Sequence, residues 1–354
     1  MRTAISQVEE YLEDLENRIE PQIENELISQ WKSFLEGNYK GEIFSPRRQR
    51  KAPSRLEWRD ISTNDAIRDP VKMIIRQLSG CSNALASGSG AILSVRTDYG
   101  TGIMPSIYGA EIFWMDDELN TLPTTWPVKG GADAIERLLD AGPPEIRTGF
   151  GKDCLETGEL FRQAFSDYPK VSEYIYLYHP DLQGPMDVCE LLWGSAIFLD
   201  LYDNPDLVHK LLHSITDTYA SFMNLWLKIA PPRGNYSAHW GLFMKGQLMI
   251  RDDSAMNLSS EMFDEFIRPY NQRLLSEFGG GAIHYCGRGD HYIDRLPLME
   301  GIYAVNLSQP HLNDMDYIFK NTIDCGIPLI GFSRQAAEAY LDKGYNFRGL
   351  MHCH

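Results

Sequence analysis

The chain has 354 residues, 43% of them hydrophobic and 11% aromatic, which excludes global disorder and provides apolar material for a real core. Lys+Arg number 33 against 49 Asp+Glu, a formal charge of -16 whose sign argues against a nucleic-acid partner. The opening MRTAISQVEEYLEDLENRIE has no apolar stretch of signal-peptide length, and no later run approaches the ~18 apolar residues of a membrane span, so a soluble, cytoplasmic protein is expected.

Residues 4–37 carry the first periodic signal. Ile5, Val8, Leu12, Leu15 and Ile19 follow steps of 3, 4, 3 and 4, one apolar stripe of a helix. Pro21 is placed to begin a second helix, with Ile23, Leu27, Trp31 and Leu35 at steps of four. Such stripes either pack on the same chain or form a homodimer contact. Residues 45–59, SPRRQRKAPSRLEWR, hold six basic side chains and two prolines and read as a solvated linker. With a further helix over 64–86, this defines an N-terminal helical arm and basic linker, 1–86, ahead of a main domain over 87–354.

After the SGSG of 87–90 the pattern changes to short apolar runs separated by helical stretches. The expected strands are 91–96, 174–178, 236–239, 247–251, 282–286, 302–307, 328–332 and 348–353. Helical patterns fill 259–278, 314–323 and 334–343, and 99–150 reads as an inserted loop or hairpin. Strand–helix alternation implies parallel strands with crossover helices, and eight such strands imply an α/β fold of the (β/α)8 TIM barrel type.

Reactive groups of such a barrel belong at the C-terminal ends of its strands. Those ends carry Arg96 and Asp98, His179 and Asp181, His239, Asp252 and Asp253, His284 and Cys286, Asn306 and Gln309, Ser333 and Arg334, and Cys353. The six cysteines are scattered and form no CxxC pair, so a disulfide framework is not expected. Phosphate-loop, HExxH, GxSxG and GxGxxG patterns are missing from the sequence. His284 and Cys286, at i and i+2 of a strand, point to one face, where an imidazole nitrogen and a thiolate can share zinc. Cys353 is the natural third ligand. His352 and His354 flank it and face the other way on a regular strand, so either Cys353 or the two histidines point inward.

DLQGPMDVCELLWGS (181–195), DDSAMNLSSEMFDEFIRPYNQ (252–272) and IHYCGRGDHYIDRLPLMEGIYAVNLS (283–308) resemble the uroporphyrinogen decarboxylase superfamily. The resemblance covers about residues 170–354, is vaguer from 91, and implies the same barrel. True decarboxylases of this group carry an N-terminal Arg-containing motif that has no counterpart here. The cobamide-dependent methyltransferase branch, which includes coenzyme M methylation, binds zinc through His-x-Cys and a distant Cys, an arrangement matched by His284, Cys286 and Cys353. The resemblance thus implies a zinc enzyme that takes a methyl group from methylcobalamin or a related corrinoid, held on a separate corrinoid protein, to a thiol or similar small acceptor. Asp252, Asp253 or His239 would add a ligand or fix the imidazole tautomer, while His179, Gln183 and Asn306 would contact the corrinoid or acceptor. The alternatives are a metal-free decarboxylase-like lyase using Asp252 or Asp253 with Arg96 or Arg334, and a corrinoid- or tetrapyrrole-binding member without turnover.

Overall fold

The computed structural model describes residues 6–354, so Ile5, the first residue of the N-terminal stripe, lies outside the described residues. As Pro21 implies, the helical stretch of 4–37 holds two helices, Glu9–Arg18 and Pro21–Leu35. Pro21 both starts the second and holds its predecessor Glu20 extended (φ -110°, ψ 110°), which ends the first. The same physics divides 64–86 into Thr63–Arg68 and Pro70–Ser87 through Asp69, and 259–278 into Ser260–Phe266 and Arg268–Glu277 around Pro269. No helix among the described residues is long and apolar enough to cross a membrane.

In chain order the strands are β1 (Ile43–Phe44), β2 (Ser94–Val95), β3 (Ile112–Phe113), β4 (Thr124–Thr125), β5 (Tyr176–Leu177) and β6 (Tyr236–His239). They continue as β7 (Leu242–Lys245), β8 (Leu248–Arg251), β9 (Gly281–Tyr285), β10 (Ile302–Leu307), β11 (Leu329–Phe332) and β12 (Met351–Cys353). The described residues divide into two compact units, one of residues 6–19, 53–83 and 94–231, the other of residues 20–52, 84–93 and 232–354.

In the first unit β2 and β5 pair in parallel, and β3 and β4 form an antiparallel hairpin inside the inserted stretch. Its N-terminal helix buries Val8, Leu12, Leu15 and Ile19. The Glu16 carboxylate of that helix accepts hydrogen bonds from the Lys170 and Val171 amides, the unsatisfied donors that begin helix Pro169–Tyr174.

The second unit is built on a six-stranded sheet in the order β1-β12-β11-β10-β9-β8, every neighbouring pair parallel. Helical segments return the chain between successive members from β8 to β12, as parallel pairing requires. β8 and β9 are buried along their whole length, Arg251 and His284 included. Helix Pro21–Leu35 buries Glu24, Leu27, Trp31 and Phe34, and its Trp31 and Phe34 rings pack with Phe44 and His352.

The protein is therefore a mixed α/β structure with a six-stranded parallel sheet. All eight expected strand segments contain extended residues, but they do not form one ladder. The 236–239 segment, expected as a parallel strand, is antiparallel: β6 pairs with β7 from Tyr236↔Lys245 to His239↔Leu242. Trp240 (φ 51°) and Gly241 (φ 76°) form its two-residue turn, both with the positive φ that a type I′ hairpin needs. The basic stretch after β1 is not wholly solvated either. Arg48 is buried, bonded through Nε and Nη2 to both carboxylate oxygens of Glu24 at 2.7 and 2.8 Å and through Nη2 to the Ala91 carbonyl.

Candidate metal centre

Parallel register brings three strand ends together in the second unit. Arg251 of β8 lies beside His284 of β9, and His284 beside Asn306 of β10. Two residues further on, Asp253 reaches Cys286, whose backbone N–H donates to Asp253 Oδ1 at 2.6 Å. His284 Nε2 lies 3.5 Å from Cys286 Sγ and 3.8 Å from Asp253 Oδ1. One donor atom from each of Asp253, His284 and Cys286 falls within 4.8 Å of the other two, forming a group of nitrogen, oxygen and sulfur donors able to share one ion.

The other ring nitrogen of His284 settles its tautomer. Nδ1 is 2.6 Å from Asn306 Oδ1, while Asn306 Nδ2 donates to the Ile330 carbonyl at 2.6 Å. Because the amide nitrogen is committed to a carbonyl, its oxygen must face the imidazole, and Nδ1 must donate. That leaves the Nε2 lone pair toward Cys286 and Asp253, the orientation a ligating histidine needs. Gly331 makes room for the amide: its φ is 71°, and a Cβ there would stand 2.7 Å from Asn306 Nδ2.

Beyond Cys286 the loop is braced by two side chains. Gln309 Oε1 accepts from Gly287 N at 2.5 Å. Asn313 accepts from the amides of Gly289 and Asp290 and donates to the carbonyls of Gly287 and Gln309. Asn313 was not singled out by sequence reasoning. Its only signal is an Asn in a Ser/Gln/Pro/Asn loop, which describes many turns.

Asp252 and His239 stand beside this group without joining it. The Asp252 carboxylate is buried and receives Asn271 Nδ2 on both oxygens at 2.8 and 2.9 Å. Burial pushes its carboxyl up to about 7, with Asn271 opposing and Asp253 adding to the shift. His239 is buried at the end of β6, where its Nε2 accepts from Arg251 Nη2 at 2.7 Å. Next in the turn, the Trp240 indole lies edge-on to His284 with centroids 5.0 Å apart, and the Arg251 guanidinium carbon is 4.6 Å from the same indole centroid.

Cys353 is not in the donor group. Its thiol is buried and pushed up to about 12 by that burial, with Arg334 lowering and Glu338 raising it, both from helix Arg334–Asp342. His352 does not join either. It lies in the aromatic cluster, 4.4 Å from the Trp31 centroid, and its Nδ1 accepts from Gly331 N. Burial and then His354 lower its pKa to about 3, so the ring is neutral. His354 packs against His352 with centroids 5.3 Å apart.

Arg96, Asp98, His179, Asp181 and Gln183 belong to the first unit. His179 Nδ1 lies 2.8 Å from the Pro180 carbonyl, and Gln183, at φ 60°, donates to Asp181 Oδ1. Arg96 bridges Asp98 at 2.6 Å and Asp181 at 3.5 Å. Burial works against its charge, but Asp98, Tyr178 and Asp181 outweigh that and hold its pKa above the ordinary value. No protein-family model matches the chain, and no curated protein sequence matches it.

Proposed function

We propose that the protein is a zinc-dependent methyltransferase that moves a methyl group from a corrinoid, presented by a separate carrier protein, to a small thiol or similar acceptor. In this reading the six-stranded parallel sheet belongs to a (β/α)8 barrel, with the reactive groups at its strand ends. The observation that carries the proposal is the approach of His284 Nε2, Cys286 Sγ and an Asp253 oxygen to within 4.8 Å of one another, with the Nε2 lone pair directed there by Asn306. A mixed N/O/S set suits zinc, whereas magnesium and calcium prefer oxygen alone. Three protein ligands leave a fourth position for the acceptor.

When bound, the metal ion supplies Lewis acidity that favours an acceptor thiolate at neutral pH. The chain does the rest. His284, Cys286 and Asp253 hold the ion, and Asn306 keeps Nδ1 protonated so that Nε2 stays available. The Cys286 amide fixes Asp253, and Gln309 with Asn313 holds the following loop.

A second reading has one observation in its favour. Cys286, His284 and Asn306 form a thiol–imidazole–amide chain of the kind used in nucleophilic catalysis. Two features weigh against it. The Asp253 carboxylate adjoins the thiol, and the Cys286 and Gly287 amides that would face an oxyanion are already bonded to Asp253 and Gln309. The lyase alternative has less support: Arg334 is exposed and paired with Glu338, and Arg96 is held between two aspartates.

Metal analysis tests the proposal. Purified protein is expected to hold about one zinc per chain, lost in Cys286→Ser and His284→Ala and kept in Cys353→Ser. Mixed with methylcobalamin and a panel of thiols, zinc-loaded protein should convert the cobalamin spectrum. A protein that binds no zinc at neutral pH overturns the assignment.

A further inference from the structure

We infer that Trp240 forms the wall of the acceptor position at the Asp253–His284–Cys286 centre and selects acceptors that carry a flat aromatic ring close to the donor atom. This inference rests on the metal-centre reading above and adds the class of acceptor to it.

Three observations converge on this residue. First, the indole is edge-on to the imidazole of His284, centroids 5.0 Å apart, so it stands directly beside a proposed ligand. Second, it is anchored from two sides. The guanidinium of Arg251 lies 4.6 Å from the indole centroid, and the His239 ring meets it edge-on at 4.6 Å; both partners are buried. An indole so fixed loses little freedom when a ligand packs on it. Third, the residue retains 36% exposure although its partners are enclosed, so part of a large aromatic surface faces solvent.

The backbone adds an argument of its own. The first position of a type I′ turn favours Asn, Asp or Gly, because φ must be positive. Trp240 holds φ 51° there, and a bulky residue in that region is strained. Asn would serve the hairpin better, so the turn alone does not account for an indole.

The cation–π contact narrows the ligand class. A guanidinium engages the negative π-cloud of the indole and makes what remains exposed less attractive to a second cation. An arene requires no such charge, and aromatic pairs gain attraction beyond the area they bury. An aromatic thiol is therefore the better fit than an ammonium-bearing one.

The test uses the full-length protein loaded with cobalt(II), whose absorption reports thiol coordination, titrated with benzyl thiol and with cyclohexylmethanethiol. These probes are similar in size and in thiol chemistry and differ in aromaticity. The wild type is expected to bind benzyl thiol about threefold to tenfold more tightly. Trp240→Phe should keep most of that preference. Trp240→Asn should lose it while folding normally, because it creates the Asn-Gly pair that the hairpin favours. An unchanged preference in Trp240→Asn overturns the inference, as does the absence of any preference in the wild type. If cobalt binds but neither thiol alters its spectrum, the acceptor position falls while the metal centre stands. If cobalt does not bind at all, both fall.

Discussion

Asn306 holds the Nδ1 proton of His284 and is itself fixed by the Ile330 carbonyl. Removing the amide frees the ring to rotate and to change tautomer, and partners of this kind are worth roughly 10- to 100-fold in metal affinity. Asn306→Ala is expected to weaken zinc binding by that factor, measured by competition with a chelator, with the far-ultraviolet circular dichroism unchanged. Gly331→Ala should act in the same direction through the backbone, since its Cβ would press on the Asn306 amide and its φ of 71° disfavours alanine. Equal affinity in both variants would show that the ring is held by something other than this amide. A second prediction belongs to His352. Its folded pKa is about 3, below its ordinary value of 6.5, so the unfolded chain binds the proton more readily. The stability it contributes is fully present above about pH 6.5 and is lost as pH falls toward 3, amounting to about 2 kcal/mol at pH 5. His352→Asn should flatten that part of the stability profile in urea titrations at about pH 7 and pH 5. A variant that loses stability over this range as steeply as the wild type would contradict the assignment.

Elements show where local sequence physics suffices and where it does not. Proline sets the helix boundary expected at Pro21 and divides two further expected helices, at Asp69 and the 267–269 stretch, each for the steric reasons that make a residue before or at proline leave the helix. The expected apolar stripe on the second helix is less faithful: Glu24, Leu27, Trp31 and Phe34 are buried, while Ile23 and Leu35 are only partly covered. The periodicity was legible, but a buried glutamate was not, because its partner Arg48 lies 24 residues away in a stretch whose composition reads as solvent-exposed. The two side chains retain 4% and 1% exposure. Breaking such a pair leaves an uncompensated buried charge, so Arg48→Met alone should cost about 3–5 kcal/mol. The double change Glu24→Leu with Arg48→Met should recover most of that loss in denaturant titrations. If the single and double variants are equally unstable, the interaction is not a coupled pair. β1 was missed for a related reason, two residues being too short for a periodic signal. β6 was recognised as a strand but given the wrong direction, since alternation says nothing of pairing direction.

For the molecule as a whole, alternating apolar runs and helical stretches sufficed to expect parallel strands, and five of the eight expected segments lie with β1 in one parallel sheet. At the candidate site, the i, i+2 spacing of His284 and Cys286 was enough to place both on one face, and the structure brings their donor atoms within 3.5 Å. The third donor was beyond what spacing could decide. Cys353 ends β12 and Asp253 follows β8, both at plausible strand ends, and choosing between them needs the register that sets Asp253 beside Cys286 and the helix contacts that surround the Cys353 thiol. The two choices differ in one observable, the number of sulfur atoms on the metal. X-ray absorption on the zinc-loaded protein reads that number directly. One sulfur per zinc is expected, with nitrogen and oxygen completing the shell and the spectrum unaltered in Cys353→Ser; two sulfurs per zinc, reduced to one by that substitution, would contradict the Asp253–His284–Cys286 centre.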